Sequence, residues 1–193
     1  MANDRKQPRG RLLTPTFRVQ FPDVFVKRAF EGRPEDTGRY ACTALFSGFE
    51  VVNGVTCMRA PLAWSERDQA KWSALIKACD DVAIAAFKRP MMELGRIGGY
   101  KLPFHHGEEK DLEGFGPGVV YFTMSAKNRR PGIIARDGVT PITQNGTNEF
   151  YAGCYARASV TPFANIQRKF VAIGMNNLQK LADGPRLDNF TSA

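Results

Sequence analysis

Residues 151–165 read YAGCYARASVTPFAN, and alternate residues from Cys154 onward fall into two sets. Cys154, Ala156, Ala158, Val160 and Pro162 are small and apolar. Tyr155, Arg157, Ser159, Thr161 and Phe163 are two rings, a cation and two hydroxyls. A strand sends successive side chains to opposite faces, so the first set suits a core. The second puts aromatic surface and a guanidinium on the face turned away from it.

The same pattern recurs in residues 119–127, VVYFTMSAK. Val120, Phe122, Met124 and Ala126 share one face; Tyr121, Thr123, Ser125 and Lys127 share the other, and Arg129 and Arg130 follow in the loop. Two earlier runs also alternate. In TPTFRVQFPDVF, Phe17, Val19 and Phe21 oppose Thr16, Arg18 and Gln20, and the strand is expected to end at Pro22. In RYACTALF, Tyr40, Cys42, Ala44 and Phe46 oppose Arg39, Ala41, Thr43 and Leu45. A last strand is expected in KFVAIGMNNLQKL, with Val171, Ile173 and Met175 inward.

One helix stands out, over about 66–88. Ser65 is its expected N-cap, and Asp68 favours its positive N-terminal end. Trp72, Leu75, Ile76, Cys79, Ala83, Ala86 and Phe87 recur at spacings of three and four, and Pro90 stops the helix. Asn53-Gly54 predicts a small hairpin. FEGRPEDTG, residues 30–38, reads as a turn-rich connection. Residues 95–118 read as a long loop with one short strand, and GIIARDG as a short strand and turn. Strands around one helix, without a βαβ rhythm, predict a mainly antiparallel β domain, a barrel or a sandwich.

The chain has 193 residues, 43% apolar and 24% charged, which fits one globular domain. No apolar run is long enough to span a membrane, and the basic start MANDRKQPRGR leads into no signal segment. The four cysteines, at 42, 57, 79 and 154, form no CxxC pair and are expected as free thiols, buried at 42, 79 and 154. The net charge of +8 is unevenly spread. Residues 1–33 carry eight Lys and Arg against three Asp and Glu, and residues 127–193 carry nine against four. The middle carries ten against twelve. Such basic ends fit a polyanionic partner, or solubility alone.

Exposed rings between cations suit unpaired nucleic acid: bases stack on rings, and cations neutralise phosphates. The competing explanation is a second interior, with a loop covering the polar face. His105, His106, Glu108, Glu109 and Asp111 suggest the alternative of a metal-dependent nuclease centred on the 105–111 loop. Adjacent histidines seldom share a metal, and a solvated loop explains them as well.

The runs YFTMSAKNRRPGIIARDG, NEFYAGCYARASVTPFA and GMNNLQKLADG, in that order, resemble a family of bacteriophage single-stranded DNA-binding proteins with an OB fold. The likeness is densest from Val119 to Gly184. It implies a single domain built on a five-stranded Greek-key OB barrel with extended loops, a flexible basic N-terminus (about 1–10) and a flexible C-terminal end (about 185–193). It implies a non-enzymatic protein that uses no cofactor or metal and coats single-stranded DNA, with RNA a weaker ligand, in phage replication, recombination or repair. The setting implied is the cytoplasm of the infected bacterium. The expected contacts are Tyr121, Lys127, Arg129, Arg130, Tyr155, Arg157 and Phe163, joined by Arg18 and Arg39 from the polar faces of the early strands. A structural virion protein that binds DNA is a further alternative. Proteins of this type usually end in an acidic tail that competes for the DNA groove and recruits replication or recombination partners. This sequence ends PRLDNFTSA, near only Asp183 and Asp188, so such recruitment is expected of a segment it does not contain.

Overall fold

The structure is a computed structural model that describes residues 10–29, 38–144 and 148–187. The basic extreme N-terminus, most of the 30–38 connection, and the last residues with Asp188 lie outside the described residues.

The strands are β1 (Leu12–Leu13), β2 (Phe17–Arg28), β3 (Arg39–Ser47), β4 (Val51–Val52), β5 (Val55–Thr56), β6 (His105–His106), β7 (Val119–Ala126), β8 (Gly132–Ile134), β9 (Tyr155–Asn165) and β10 (Phe170–Ala182). The helices are α1 (Glu66–Phe87) and α2 (Met91–Ile97). Five long strands close on themselves in the order β9-β2-β3-β7-β10 and back to β9. Every pairing in the ring is antiparallel except β7 with β10, where Ile173 lies beside Met124 and Gly174 beside Ser125. This is the five-stranded barrel of an OB fold. β1 extends it beside β9, β6 pairs with β7, β8 pairs with β10, and β4–β5 is the separate hairpin at Asn53-Gly54.

The interior takes the apolar sets read from the sequence. Phe17, Val19, Cys42, Ala44, Phe46, Phe122, Met124, Ala156, Ala158, Val160, Val171 and Ile173 are all buried in one cluster. α1 begins where Ser65 accepts the Asp68 N–H at 3.2 Å and ends at Lys88 in the left-handed region. Its buried face carries Trp72, Leu75, Cys79 and Ala83. Asp80 then caps the shorter α2 through the Met91 N–H at 2.8 Å. The sequence had shown no signal for α2.

Two expectations for β2 are corrected. The strand continues through Pro22 to Arg28, and Phe21 faces out. Gln20 pairs with Thr43 and Asp23 with Ala41, so β2 spends three residues where β3 spends two. The extra residue is a bulge, with Phe21 at φ +47°. Proline is tolerated there because a bulge interrupts the ladder. The alternation shifts by one, and Val24 takes the buried position.

The cysteines are free, and Cys42, Cys79 and Cys154 are buried. Burial raises the pKa of each of these three thiols, that of Cys79 to about 12, so thiolate is scarce at neutral pH.

Trp72 joins helix to barrel. Its ring centroid lies 5.1 Å from that of Phe46, 5.2 Å from Phe49 and 5.4 Å from Phe104, and its indole N–H donates to the Met58 carbonyl at 2.9 Å. Trp72→Ala is expected to cost about 3–5 kcal/mol of folding stability, through lost burial and an unfilled cavity. Urea unfolding followed by circular dichroism checks this; a loss near 1 kcal/mol would show that helix and barrel are held together elsewhere.

Candidate nucleic-acid interface

The outer face of β2, β3 and β7 is built in cross-strand rows. One row runs Tyr155, Arg18, Leu45, Tyr121, His105 across β9, β2, β3, β7 and β6. The next holds Gln20, Thr43 and Thr123, with the two threonine hydroxyls 2.8 Å apart. Beyond it stand Asp23, Ala41 and Ser125, and then Arg28 beside Arg39. Lys127 follows Ala126, the partner of Tyr40, and so ends β7 next to Arg39.

The far end of these rows is a basic rim. Lys27, Arg28, Lys127 and Arg129 are exposed there and Arg39 is half-buried. Arg130 lies 5.2 Å over the Phe25 ring and Lys27 5.6 Å from the Tyr40 centroid. Arg28 holds the Asp23 carboxylate at 2.7 Å. Lys27, Arg28 and Phe25 were not read as site residues, because β2 was expected to stop at Pro22. The Lys27-Arg28 pair was the available signal.

The first row is covered by the chain's own C-terminal segment. Arg18 donates to the Pro185 carbonyl at 2.8 Å, and the Leu187 N–H donates to Ala152 at 3.0 Å. Leu187, Leu45 and Tyr121 form a small buried cluster flanked by Phe115. Gly153, at φ +111°, leaves no room for a Cβ against the Pro185 carbonyl, so the segment passes flush. Tyr151 hydrogen-bonds Asp183 and Gly184, and the Arg186 guanidinium sits 4.3 Å over its ring. Pro185–Leu187, the described part of the expected flexible end, is therefore fastened to the barrel.

Loop residues close in from the other side. Phe115 meets Tyr121 edge-on at 4.9 Å, and His105 stacks on Tyr121 at 5.2 Å. Phe21 lies 6.3 Å from Phe115. The Lys110 ammonium stands 5.1–5.6 Å from the Tyr121, Phe115 and Phe21 centroids, a cation over three rings. Tyr121, expected as an open platform, is only 5% exposed. The cover comes from residues distant in sequence, which alternation within one strand cannot reveal.

The other expected contacts separate. Tyr155 remains 37% exposed at the end of the covered row. Arg157 and Phe163 belong to the β9–β10 side. Arg157 donates to the Gln179 side chain at 2.8 Å, whose amide reaches the Ala135 and Arg136 carbonyls. Phe163 is also 37% exposed, over Gly174 and edge-on to Phe170. Lys127, Arg129, Arg130 and Arg39 thus meet at the rim, Arg18, Tyr121 and Tyr155 share one row, and Arg157 and Phe163 stand apart.

The 105–111 loop is occupied structurally. Glu108 accepts the Thr56 hydroxyl, which holds its carboxyl below the usual range, and Glu109 approaches His105 at 3.4 Å. Among the described residues, no group of three His, Cys, Asp or Glu is placed to hold a metal ion. No helix is long and apolar enough to cross a membrane, again among the described residues.

An OB barrel with a cationic rim beside its second and third strands is the frame of a nucleic-acid-binding protein. The chain belongs to the family described as the Enterobacter phage Enc34 single-stranded DNA-binding protein, whose model matches residues 11–193. Among solved structures it is similar to the bacteriophage Enc34 single-stranded DNA-binding protein in complex with ssDNA. There the TM-score is 0.66 at 13% identity, covering 92% of this chain and 89% of that one. A C-terminally truncated form of the Enc34 protein gives a TM-score of 0.65 at 12% identity, over 92% and 88% of the two chains. The single-stranded DNA-binding protein gp2.5 of bacteriophage T7 gives 0.47 at 12% identity, over 95% and 90%. No curated protein matches the chain.

Burial, and secondarily the Glu109 charge, raise the pKa of the Tyr121 phenol, because both disfavour phenolate. Leu187→Ala opens the cover and is expected to lower that pKa toward the ordinary tyrosine value. The difference in phenolate absorbance between this variant and Leu187→Ala/Tyr121→Phe, compared with the same pair on Leu187, isolates the shift. An unchanged titration would show that Leu187 does not shield the ring in solution.

Proposed function

We propose that the protein binds single-stranded DNA without sequence preference across the outer face of β2, β3 and β7, and coats such strands in phage DNA replication, recombination or repair. The observation that carries this reading is the cluster of six cations, Lys27, Arg28, Arg39, Lys127, Arg129 and Arg130, at one end of that face. Phosphates are neutralised at this rim and release their counterions. Thr123 and Ser125 offer hydroxyls to sugar or phosphate, which positions a strand without reading its bases. Unpaired bases stack on exposed rings, foremost Tyr155, and on Tyr121 and Phe115 where the C-terminal segment lifts from the row. That segment and a bound strand occupy the same row, so the two compete. Arg157 and Phe163 contribute where the strand continues over the β9–β10 hairpin. The family and the ssDNA-bound relative both support the reading.

The test is a titration of fluorescent oligo-dT, against duplex of equal length, at several salt concentrations. The single strand is expected to bind more tightly, with log affinity falling by roughly 0.7 per neutralised phosphate per decade of salt. Lys127→Ala/Arg129→Ala is expected to flatten that slope by about 1 to 1.5. Tyr155→Ala is expected to cost about 1–3 kcal/mol with little change in slope. Equal affinity for duplex would favour a DNA-binding virion component, and strand cleavage with magnesium or manganese would favour the nuclease alternative.

A further inference from the structure

A groove of about 670 Å³ lies between β1 and α1, away from the β2–β3–β7 face. On the helix side it is bounded by Arg67, Ala70, Lys71 and Ala74, and on the strand side by Arg11 and Leu13. The helical positions recur at three and four and so form one stripe of α1. Trp72, Leu75, Cys79 and Ala83 are buried on its other side. The stripe is therefore not the one that packs on the barrel. Ala70 and Ala74 are exposed and small, so a main chain can approach closely, and Leu13 is 51% exposed.

Two further features define what fits. First, β1 pairs with β9 along one edge and, among the described residues, with no strand along the other. An edge of this kind can accept an extended chain through main-chain hydrogen bonds. Second, the groove is cationic. Arg11 and Arg67 are exposed, and Lys71 is held by Asp68 at 2.8 Å; no residue lining the groove is acidic. No lining residue is aromatic either. A nucleic acid would find cations there but no ring for its bases, whereas aliphatic surface between cations suits a peptide.

We propose that this groove docks an extended acidic segment of a partner protein, in which carboxylates alternate with aliphatic side chains. The segment lies alongside β1. Its aliphatic side chains rest on Leu13, Ala70 and Ala74, and its carboxylates face Arg11, Arg67 and Lys71. The β2–β3–β7 face would stay free, so a partner could be held while DNA is bound there; a DNA strand continuing from Arg157 toward Phe163 would meet the segment at Ser159, which also lines the groove.

The probe is a fluorescein-labelled decapeptide alternating Asp and Leu, titrated by anisotropy against the full chain. An Asp–Ser decapeptide is the control for charge alone. Saturable binding of the Asp–Leu peptide is expected, together with at least about ten-fold weakening in Arg11→Gln/Arg67→Gln, which removes two charge-assisted contacts. Leu13→Asp, at an exposed site, is expected to weaken it similarly. Oligo-dT affinity in these variants should stay within about two-fold of wild type, a shift of under about 0.5 kcal/mol. The proposal is overturned by absent peptide binding, by unchanged affinity in the variants, or by equal binding of the Asp–Ser peptide. It is also overturned if oligo-dT displaces the peptide and the variants lose DNA affinity, which would make the groove part of the nucleic-acid path. Oligo-dT binding by the wild type reports on the DNA-binding reading separately.

Discussion

Closure of the barrel rests on one short contact, the parallel pairing of β7 and β10 at Met124–Ile173 and Ser125–Gly174. Every other junction in the ring is antiparallel, long at β2–β3, β3–β7 and β9–β10 and short again at β2–β9, where Phe17 meets Ala156 and Arg18 meets Tyr155. Without that junction the β2–β3–β7 half and the β9–β10 half would be joined only along the β2–β9 side, and each would have a free edge. With it, the edges are gone and one interior serves both halves. Met124 and Ile173 are both buried at the junction, so the same side chains that seal the ring also fill it. The outward faces then become surfaces fixed against a rigid interior, which is what a binding face requires.

The β2–β3 and β3–β7 ladders explain the arrangement of charge. The basic residues are concentrated toward the two ends of the sequence. These two ladders bring the end of β2, carrying Lys27 and Arg28, next to the start of β3 and the end of β7. Arg130, from the loop after β7, reaches back over Phe25 of β2. Charges about a hundred residues apart thereby form one rim. Several cations so close together repel one another and cost stability in the free protein, a cost that a polyanion relieves.

Much of this was legible in the sequence, because alternation within a strand is local. Cys42, Ala44 and Phe46, or Ala156, Ala158 and Val160, declare a buried face by period alone, and Ser65 declares a helix start. The resemblance supplied the barrel, which period alone left open between barrel and sandwich. What stayed hidden depended on distant segments. Tyr121 has the spacing of an outward ring, and it is outward, yet Leu187 and Phe115 cover it. Arg157 has the spacing of a free cation, yet Gln179 holds it. Lys27 and Arg28 were missed for a local reason: Pro22 looked like a stop, and a bulge absorbs it.

That bulge makes β2 forgiving of length between Gln20 and Asp23. The surplus residue is taken up locally, and Asp23 still meets Ala41. Losing one residue there would turn three steps against two into two against two, a regular ladder in which Val24 keeps its inward place. Relatives one residue shorter at this point can therefore carry the same rim on a less twisted strand, whereas a loss further along would displace the rim itself.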